Sequence, residues 1–430
     1  MKFVIVTKWF SGLGFAVRLQ DEGHEVELAV AGVDDQRLQA RYALVGNGLV
    51  QKRMLADVVA GRDSLRNAYF VWDENHSVEE NECLRGEGFK VLGGGRYAET
   101  MEHDRDACLE FVGRYGLKAP PSHAFGDAAA GVRFLEEHPG TAYVYKPDVG
   151  DNHETYLPHS ERAEDANLEL RAHLRSLRNK SPFVLQERKD GVEANVEVWF
   201  ERGEPRFAFM TLEAKRRLTG DLGDLGGCAF DFVFTVPLDA RAVVETVGRL
   251  YPAYHAMRYT GFGDANVVVA RDGVWFFEKC ERFGYNAHPN LLWNIAREPL
   301  GEILTTLVDG TFAPNFSPGF GASCTMYMDH PAPGKAIQIP DEVKPSVYFF
   351  DAYKEGDLHL TAGFADSVLL VNAFGYTIPQ AWEAVLARAA QVRFPGRSYR
   401  LDGAGTDFPS SPIRRYEALA AMQYLIPERG

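Results

Sequence analysis

The chain has no Cys-x-x-Cys pair, no apolar run approaching about 18 residues, and no excess of positive charge. Each absence removes a class of protein. Its five cysteines (Cys83, Cys108, Cys228, Cys280 and Cys324) are scattered and odd in number, so neither a disulfide framework nor a structural zinc site is expected, and the setting is read as cytoplasmic. Without a long apolar stretch, neither a signal peptide nor a membrane span is expected. The 46 Lys and Arg against 60 Asp and Glu give a net charge of −14, which repels nucleic-acid backbones and anionic membranes. An anionic substrate would need cations gathered locally. HExxH, Walker A and G-x-S-x-G patterns are missing too, and with them three familiar routes to hydrolysis or phosphate binding.

What is present suits a folded chain of roughly two to four domains, with 46% hydrophobic and 25% charged residues over 430 positions. Short apolar runs at Phe3 to Thr7, Glu25 to Val30, Tyr69 to Asp73 and Phe89 to Leu92 read as strands of a doubly wound α/β unit. Beyond Gly93-Gly94-Gly95, the spacing of Cys108, Phe111, Val112 and Tyr115 predicts a helix capped by Asp104. A helix over Ala128 to Glu137 and strands over Ala142 to Lys146 and Phe183 to Gln186 follow. Ala194 to Phe200, Phe207 to Leu212, Asn266 to Ala270 and Val274 to Phe277 predict an antiparallel sheet, the last two joined at an Asp272-Gly273 hairpin. The tail adds strands at Ser346 to Phe350 and Ser367 to Asn372 and a helix near Pro379 to Ala390. The class is therefore α/β followed by α+β.

Four segments carry candidate chemistry. Ser11-Gly12-Leu13-Gly14 between a strand and a helix could cradle a phosphate, although the third glycine of a dinucleotide fingerprint is absent. Gln186-Glu187-Arg188-Lys189-Asp190-Gly191-Val192-Glu193 runs from one strand to the next, and its backbone could read a base while Glu193 accepts from ribose hydroxyls. Lys215-Arg216-Arg217 beside a glycine-rich stretch containing Asp221 is the local cationic cluster that an anionic substrate requires. Period two puts Asp264 and Asn266 on one face of a strand and Glu278 and Cys280 on one face of the next, where oxygen ligands could meet Mg²⁺, with Arg282 close by. Taken singly, each also reads as a plain turn, a solvated hairpin or an exposed strand end. His153 and His159, in a polar stretch, are read as structural.

Taken in order, these segments resemble the ATP-grasp superfamily and, within it, the phosphoribosylamine–glycine ligases. Gln186 to Ala194 is similar to that family's hinge, Lys215 to Ala229 to its K-R-x-G-D loop, and Glu278 to Gly284 to its L-E-F-N-C-R-F-G. Gly375-Tyr376-Thr377 and Tyr399-Arg400-Leu401-Asp402 are similar to its C-terminal motifs. The resemblance implies an N-terminal Rossmann-like domain over 1–100, an ATP-grasp domain over 101–310 with a lid at about 120–185, and a C-terminal domain over 311–430.

It also implies an ATP-dependent, ADP-forming carboxylate–amine ligase acting through an acyl phosphate. Glycine or another small amino acid would be the carboxylate, and the amine a small molecule, a nucleotide or sugar phosphate as in purine biosynthesis being one such class. Arg105, Lys146, Gln186, Glu187, Lys189 and Glu193 would hold ATP; Lys215, Asp221 and Arg282 would serve catalysis; Glu278, Asn266 and Cys280 would hold Mg²⁺ or Mn²⁺. Residues 147 to 158 would cover the phosphates, through backbone N–H groups near Gly150 in place of the family's G-K-G. No nucleic-acid or membrane partner is implied, and the chain would be a monomer or homodimer.

The sequence departs from the family at the acceptor. Ser11-Gly12-Leu13-Gly14-Phe15-Ala16 replaces G-G-R-E-H-A, with Lys8 the nearest cation; Tyr285-Asn286-Ala287-His288 replaces D-P-E; and Cys280 stands where a ligating Asn is usual, leaving Asn266, Glu281 or Asn286 to fill that place. Two other readings follow from these departures. One is an NAD(P)-linked oxidoreductase using the Gly12-Leu13-Gly14 turn; the other is a nucleotide-binding but non-catalytic homologue.

Overall fold

A computed structural model describes all residues except 34, 148–154, 178–181, 314 and 428–430. The lid residues around Gly150, and His153, lie outside the described set.

The first unit is a parallel sheet of five strands in the order Gln51–Met54, Glu25–Val30, Lys2–Thr7, Tyr69–Trp72, Lys90–Leu92. The order reverses between Lys2–Thr7 and Tyr69–Trp72, which makes the carboxyl ends of those two strands the switch point where ligands of open α/β sheets are usually held. Both central strands are buried along nearly their whole length, as their unbroken apolar runs predict. Gln51–Met54 has no apolar pattern and is an additional strand. It lies at the sheet edge, where Arg53 bonds both carboxylate oxygens of Glu27 at 2.8 Å.

The helix Arg105–Arg114 begins as expected, with Asp104 accepting from the Ala107 N–H at 2.9 Å. A three-stranded antiparallel sheet (Ser122–Phe125, Phe183–Glu187, Tyr143–Pro147) then carries helices Ala128–Glu137 and Ala163–Ser176. Leu135, Tyr143, Tyr145, Leu170, Leu174, Phe183 and Leu185 give this unit its own small core.

Everything else is organised on one antiparallel sheet of nine strands. Its path runs Gly273–Glu278, Gly261–Ala270, Val192–Glu201, Glu204–Leu218, Leu222–Val236, Phe320–Met328, Ser367–Gly375 and Val347–Phe349, with Arg397–Ser398 pairing off Phe320–Met328. The sheet therefore crosses residue 310 without a break: Phe230 pairs with Cys324 and Ser323 with Asn372. The hairpin at Asp272-Gly273 forms as expected, Ala270 opposing Gly273.

The glycine-rich stretch after Lys215 is not a loop. Glu204–Leu218 and Leu222–Val236 form a ribbon of two 15-residue strands turned at Thr219-Gly220-Asp221. Register shifts between Ala214 and Arg216 and between Arg216 and Leu218 accommodate its glycines. Long-range pairing has extended the strands through residues whose local preference is for turns.

The Gly12-Leu13-Gly14 turn also has a different purpose from phosphate cradling. A Cβ on Gly14 would lie 2.4 Å from the ring of Tyr348, so this glycine lets the helix Leu13–Asp21 pack on the tail strand Val347–Phe349. The Gly12 N–H already donates to the Asp73 carboxylate at 2.6 Å. The anion-binding groups that an NAD(P) pyrophosphate would use are thus occupied by the protein. Among the described residues, no helix is long and apolar enough to cross a membrane.

Candidate active site

The small three-stranded sheet faces the Gly273–Glu278 edge of the nine-stranded sheet. The Phe276 N–H donates to the Lys118 carbonyl at 2.7 Å, and the Lys189 ammonium lies 4.2 Å from the Trp275 ring centre. From the other side, Arg216 on the ribbon donates to the Leu157 carbonyl at 3.0 Å. Of the candidate residues, Arg105, Lys146, Glu193, Lys215 and Glu278 come together near these walls.

Lys146, at the end of the strand Tyr143–Pro147, lies within electrostatic reach of Arg105, Glu278, Lys215 and Glu193. Burial foremost, helped by the positive charge of Arg105, pushes its ammonium down to about 8. The Phe277 ring centre is 5.5 Å from its Nζ. Lys215 Nζ and Glu193 Oε1 pair at 2.7 Å. Glu193 holds the Lys215 ammonium above its ordinary range, and Lys215 in turn holds the Glu193 carboxyl below its own. Their side chains keep 35% and 47% of their surface open, so the pair is accessible to a ligand.

Asn266 and Glu278 stand directly opposite each other in the pairing of their strands. A register shift between Asn266 and Val267 places these two oxygen-bearing side chains side by side, where an unbroken ladder from the hairpin would have set Asn266 against Phe277. Cys280 follows the end of that strand, and its N–H donates to Asp264 Oδ1 at 2.7 Å. Its thiol, raised well above the ordinary range by burial, does not suit Mg²⁺, a hard ion that takes oxygen. Glu281 is 1% exposed and bound into a network with Lys279, Tyr254 and Tyr97. The Asn286 amide donates to Ser323 and Thr325 at 3.2 and 3.0 Å. Among the three substitutes considered for the usual Asn, Asn266 is the one opposite Glu278.

Gln186 is buried, its Nε2 donating to Ser122 Oγ at 3.2 Å, and Lys189 pairs with Glu187 at 2.9 Å at the strand end. Arg282 stands at the border with the N-terminal unit, where it pairs with Glu102 at 3.1 Å and covers the Tyr285 ring at 4.4 Å. Asp221 is not brought into the cleft cluster. It accepts from buried Arg400 at 2.8 Å and from the Ser410 N–H at 2.6 Å, fastening the tip of the ribbon to the C-terminal segment.

Two participants carry no sequence signal. Glu213 lies close enough to Glu193 and Glu278 that their charges add to the effect of burial in raising its carboxyl. Arg415, on the helix Pro412–Ala421, donates to the backbone carbonyls of Glu193 at 3.3 Å and Glu213 at 2.7 Å, holding two of the site's strands from behind. The cluster thus has three cations, Arg105, Lys146 and Lys215, against three carboxylates, Glu193, Glu213 and Glu278. Such a balance fits a metal–nucleotide complex better than a bare phosphate, since carboxylates can face the metal and cations the phosphates.

No protein-family model matches the chain. A phosphoribosylamine–glycine ligase from Ralstonia nicotianae is 26% identical over 345 residues, covering 75% of this chain and 79% of that protein. Another, from Methanosarcina acetivorans, is 23% identical over 312 residues, covering 66% and 67%. Among solved structures, phosphoribosylamine–glycine ligase from Thermotoga maritima is similar with a TM-score of 0.67 at 16% identity, covering 95% of this chain and 100% of that one. A biotin carboxylase from Campylobacter jejuni, solved as a β,γ-ATP complex, has a TM-score of 0.61 at 12% identity, covering 92% of each. The chain has the ATP-grasp fold, and in sequence and architecture it resembles the phosphoribosylamine–glycine ligases.

Proposed function

We propose that the protein is an ADP-forming carboxylate–amine ligase acting on small molecules. The observation that carries this reading is the cluster of Arg105, Lys146 and Lys215 with Glu193, Glu213 and Glu278 between the small sheet and the main one. A carboxylate oxygen attacks the γ-phosphorus of ATP, the bond to the β–γ bridging oxygen breaks, and ADP leaves. The amine nitrogen then attacks the acyl carbon, the C–O bond to phosphate breaks, and the ammonium proton passes to solvent or phosphate. Such transfers depend on positioning and charge neutralisation, and no protein nucleophile is required.

In this scheme Lys146 and Arg105 hold the phosphates, and Lys215, kept protonated by Glu193, faces the transferring group. Gln186, Glu187 and Lys189 border the base, with Glu193 at the ribose. Glu278 and Asn266 would hold the divalent ion, which supplies charge neutralisation at the β- and γ-phosphates. Arg282 faces the acceptor side.

The acceptor amine, on this reading, carries no phosphate at the Ser11 turn. Ser11 Oγ donates to Glu74 at 2.5 Å and the Gly12 N–H to Asp73, so carboxylates stand where a phosphate would have to sit. Glycine or another small amino acid remains the carboxylate of choice. The test is ADP release from ATP and Mg²⁺ across a matrix of amino acids and amines. Release that needs both partners, and is lost in Glu278→Gln with unchanged circular dichroism, supports the ligase. ATP binding without turnover under every mixture would instead leave a non-catalytic homologue.

A further inference from the structure

We propose a second metal site, separate from the nucleotide's, formed by Asp73, Glu74 and His76 and suited to a divalent transition-metal ion of the zinc class. These residues follow the carboxyl end of the strand Tyr69–Trp72, at the switch point of the parallel sheet. One ligand atom from each lies within 4.8 Å of the others. Ligand atoms about 2.1 Å from one ion stand about 3.4 Å apart in a tetrahedral set and at most about 4.2 Å apart in an octahedral one, so side-chain shifts of roughly 0.6 to 1.4 Å or less close the set.

Two of these atoms lack any other use. Asp73 Oδ1 and His76 Nε2 are buried and have no hydrogen-bond partner, and their side chains are 1% and 9% exposed. They stand 3.5 Å apart, beyond the usual limit of about 3.2 Å for a hydrogen bond. Two ligands of one tetrahedral ion, each about 2.1 Å from it, are separated by about 3.4 Å. An orphaned buried carboxylate oxygen and an orphaned imidazole nitrogen at that separation are what a bound ion would satisfy, at a place where leaving them unpaired costs stability.

The remaining atoms of the three side chains are anchored. Asp73 Oδ2 accepts from the Gly12 N–H at 2.6 Å, Glu74 accepts from Ser11 Oγ at 2.5 Å, and His76 Nδ1 lies 3.0 Å from Ser77 Oγ. Engagement of the second ring nitrogen is the usual way a ligating histidine is oriented. The nearby cations act on Glu74 but are shared with other carboxylates: Arg282 pairs with Glu102, and Arg41 divides its field between Glu74 and Asp351. One imidazole and two carboxylates suit Zn²⁺, Co²⁺ or Mn²⁺, and three protein ligands leave a position open for a further ligand.

The test uses the full chain, freed of metal by a chelator and titrated with Co²⁺ and Zn²⁺ in the absence of nucleotide. Visible absorption of bound Co²⁺ and calorimetry should both show one equivalent, displaced by Zn²⁺. Affinity should fall at least tenfold in His76→Gln and in Asp73→Asn, each checked for native circular dichroism, and stay unchanged in Glu278→Gln. Three outcomes would overturn the proposal: no uptake by the wild-type chain, uptake that survives in well-folded His76→Gln, or uptake lost in Glu278→Gln.

Discussion

Replacing Lys146 by Met should make the protein more stable while removing nucleotide binding. The ammonium is half-buried, and burial, together with Arg105 and Lys215, brings it from 10.5 down to about 8. The drop of roughly 2.5 pH units corresponds to about 3 kcal/mol of cost for holding the charge in the folded state. Because the side chain borders an open cleft, we expect roughly 1–3 kcal/mol to be recovered in Lys146→Met, whose side chain is of similar length. The sign with pH is set by linkage. Below pH 8 the lysine is charged in both states and the full cost is present; between 8 and 10.5 the unfolded chain binds more protons, so the wild type gains stability and the two proteins converge. Urea unfolding of both proteins at pH 7 and pH 10 reads the difference. Binding of a non-hydrolysable ATP analogue should weaken in the wild type above pH 8 and be at least about 100-fold weaker in the variant throughout. A Lys146→Met protein that is less stable at pH 7, or a stability difference that does not shrink by pH 10, would refute this electrostatic account.

Gly14→Ala should destabilise the fold by about 1–3 kcal/mol, because its methyl would stand 2.4 Å from the Tyr348 ring; an unchanged denaturation midpoint would contradict the packing. Asp221→Asn removes one carboxylate from the fully buried Arg400, which keeps Asp402 at 2.7 Å, so a loss of about 2 kcal/mol is expected. A large fall in turnover with stability untouched would instead restore Asp221 to catalysis. Glu193→Gln should cost less than about 1 kcal/mol, since the pair with Lys215 is solvent-accessible, and should weaken nucleotide binding severalfold. Equal nucleotide affinity in titration calorimetry would remove Glu193 from the ribose site.

Much of the local architecture was legible because its causes are local. The apolar runs at Phe3 and Tyr69, the Asp104 cap and the Asp272-Gly273 turn each depend on a few neighbouring residues, and each forms where its pattern lies. Strand periodicity and one hairpin brought the Asn266 and Glu278 strands together, but their regular register would set Asn266 against Phe277, and the shift between Asn266 and Val267 that puts it opposite Glu278 has no sequence signal. The collinear likeness to the phosphoribosylamine–glycine ligases likewise needed only the order of motifs along the chain.

What depended on distant partners was not legible. Residues 215–227 have turn composition, yet most of them run as strand, continuing the ribbon whose two arms are paired further along with Val192–Glu201 and Phe320–Met328. Gly12 and Gly14 have the look of a phosphate turn, but Asp73 and Tyr348, 61 residues and more than 300 residues away, determine their use. Arg415 reaches the Glu193 and Glu213 carbonyls across 222 and 202 positions with no motif to announce it. The amino-acid sequence alone determined the element types, the acidic balance and the family likeness, because propensity, periodicity and motif order are properties of neighbours. The tertiary structure alone decided which charges meet: Lys146 with Glu278, Lys215 with Glu193, and Asp73 with His76. Burial and electrostatic pairing depend on distance in space, which chain separation does not give.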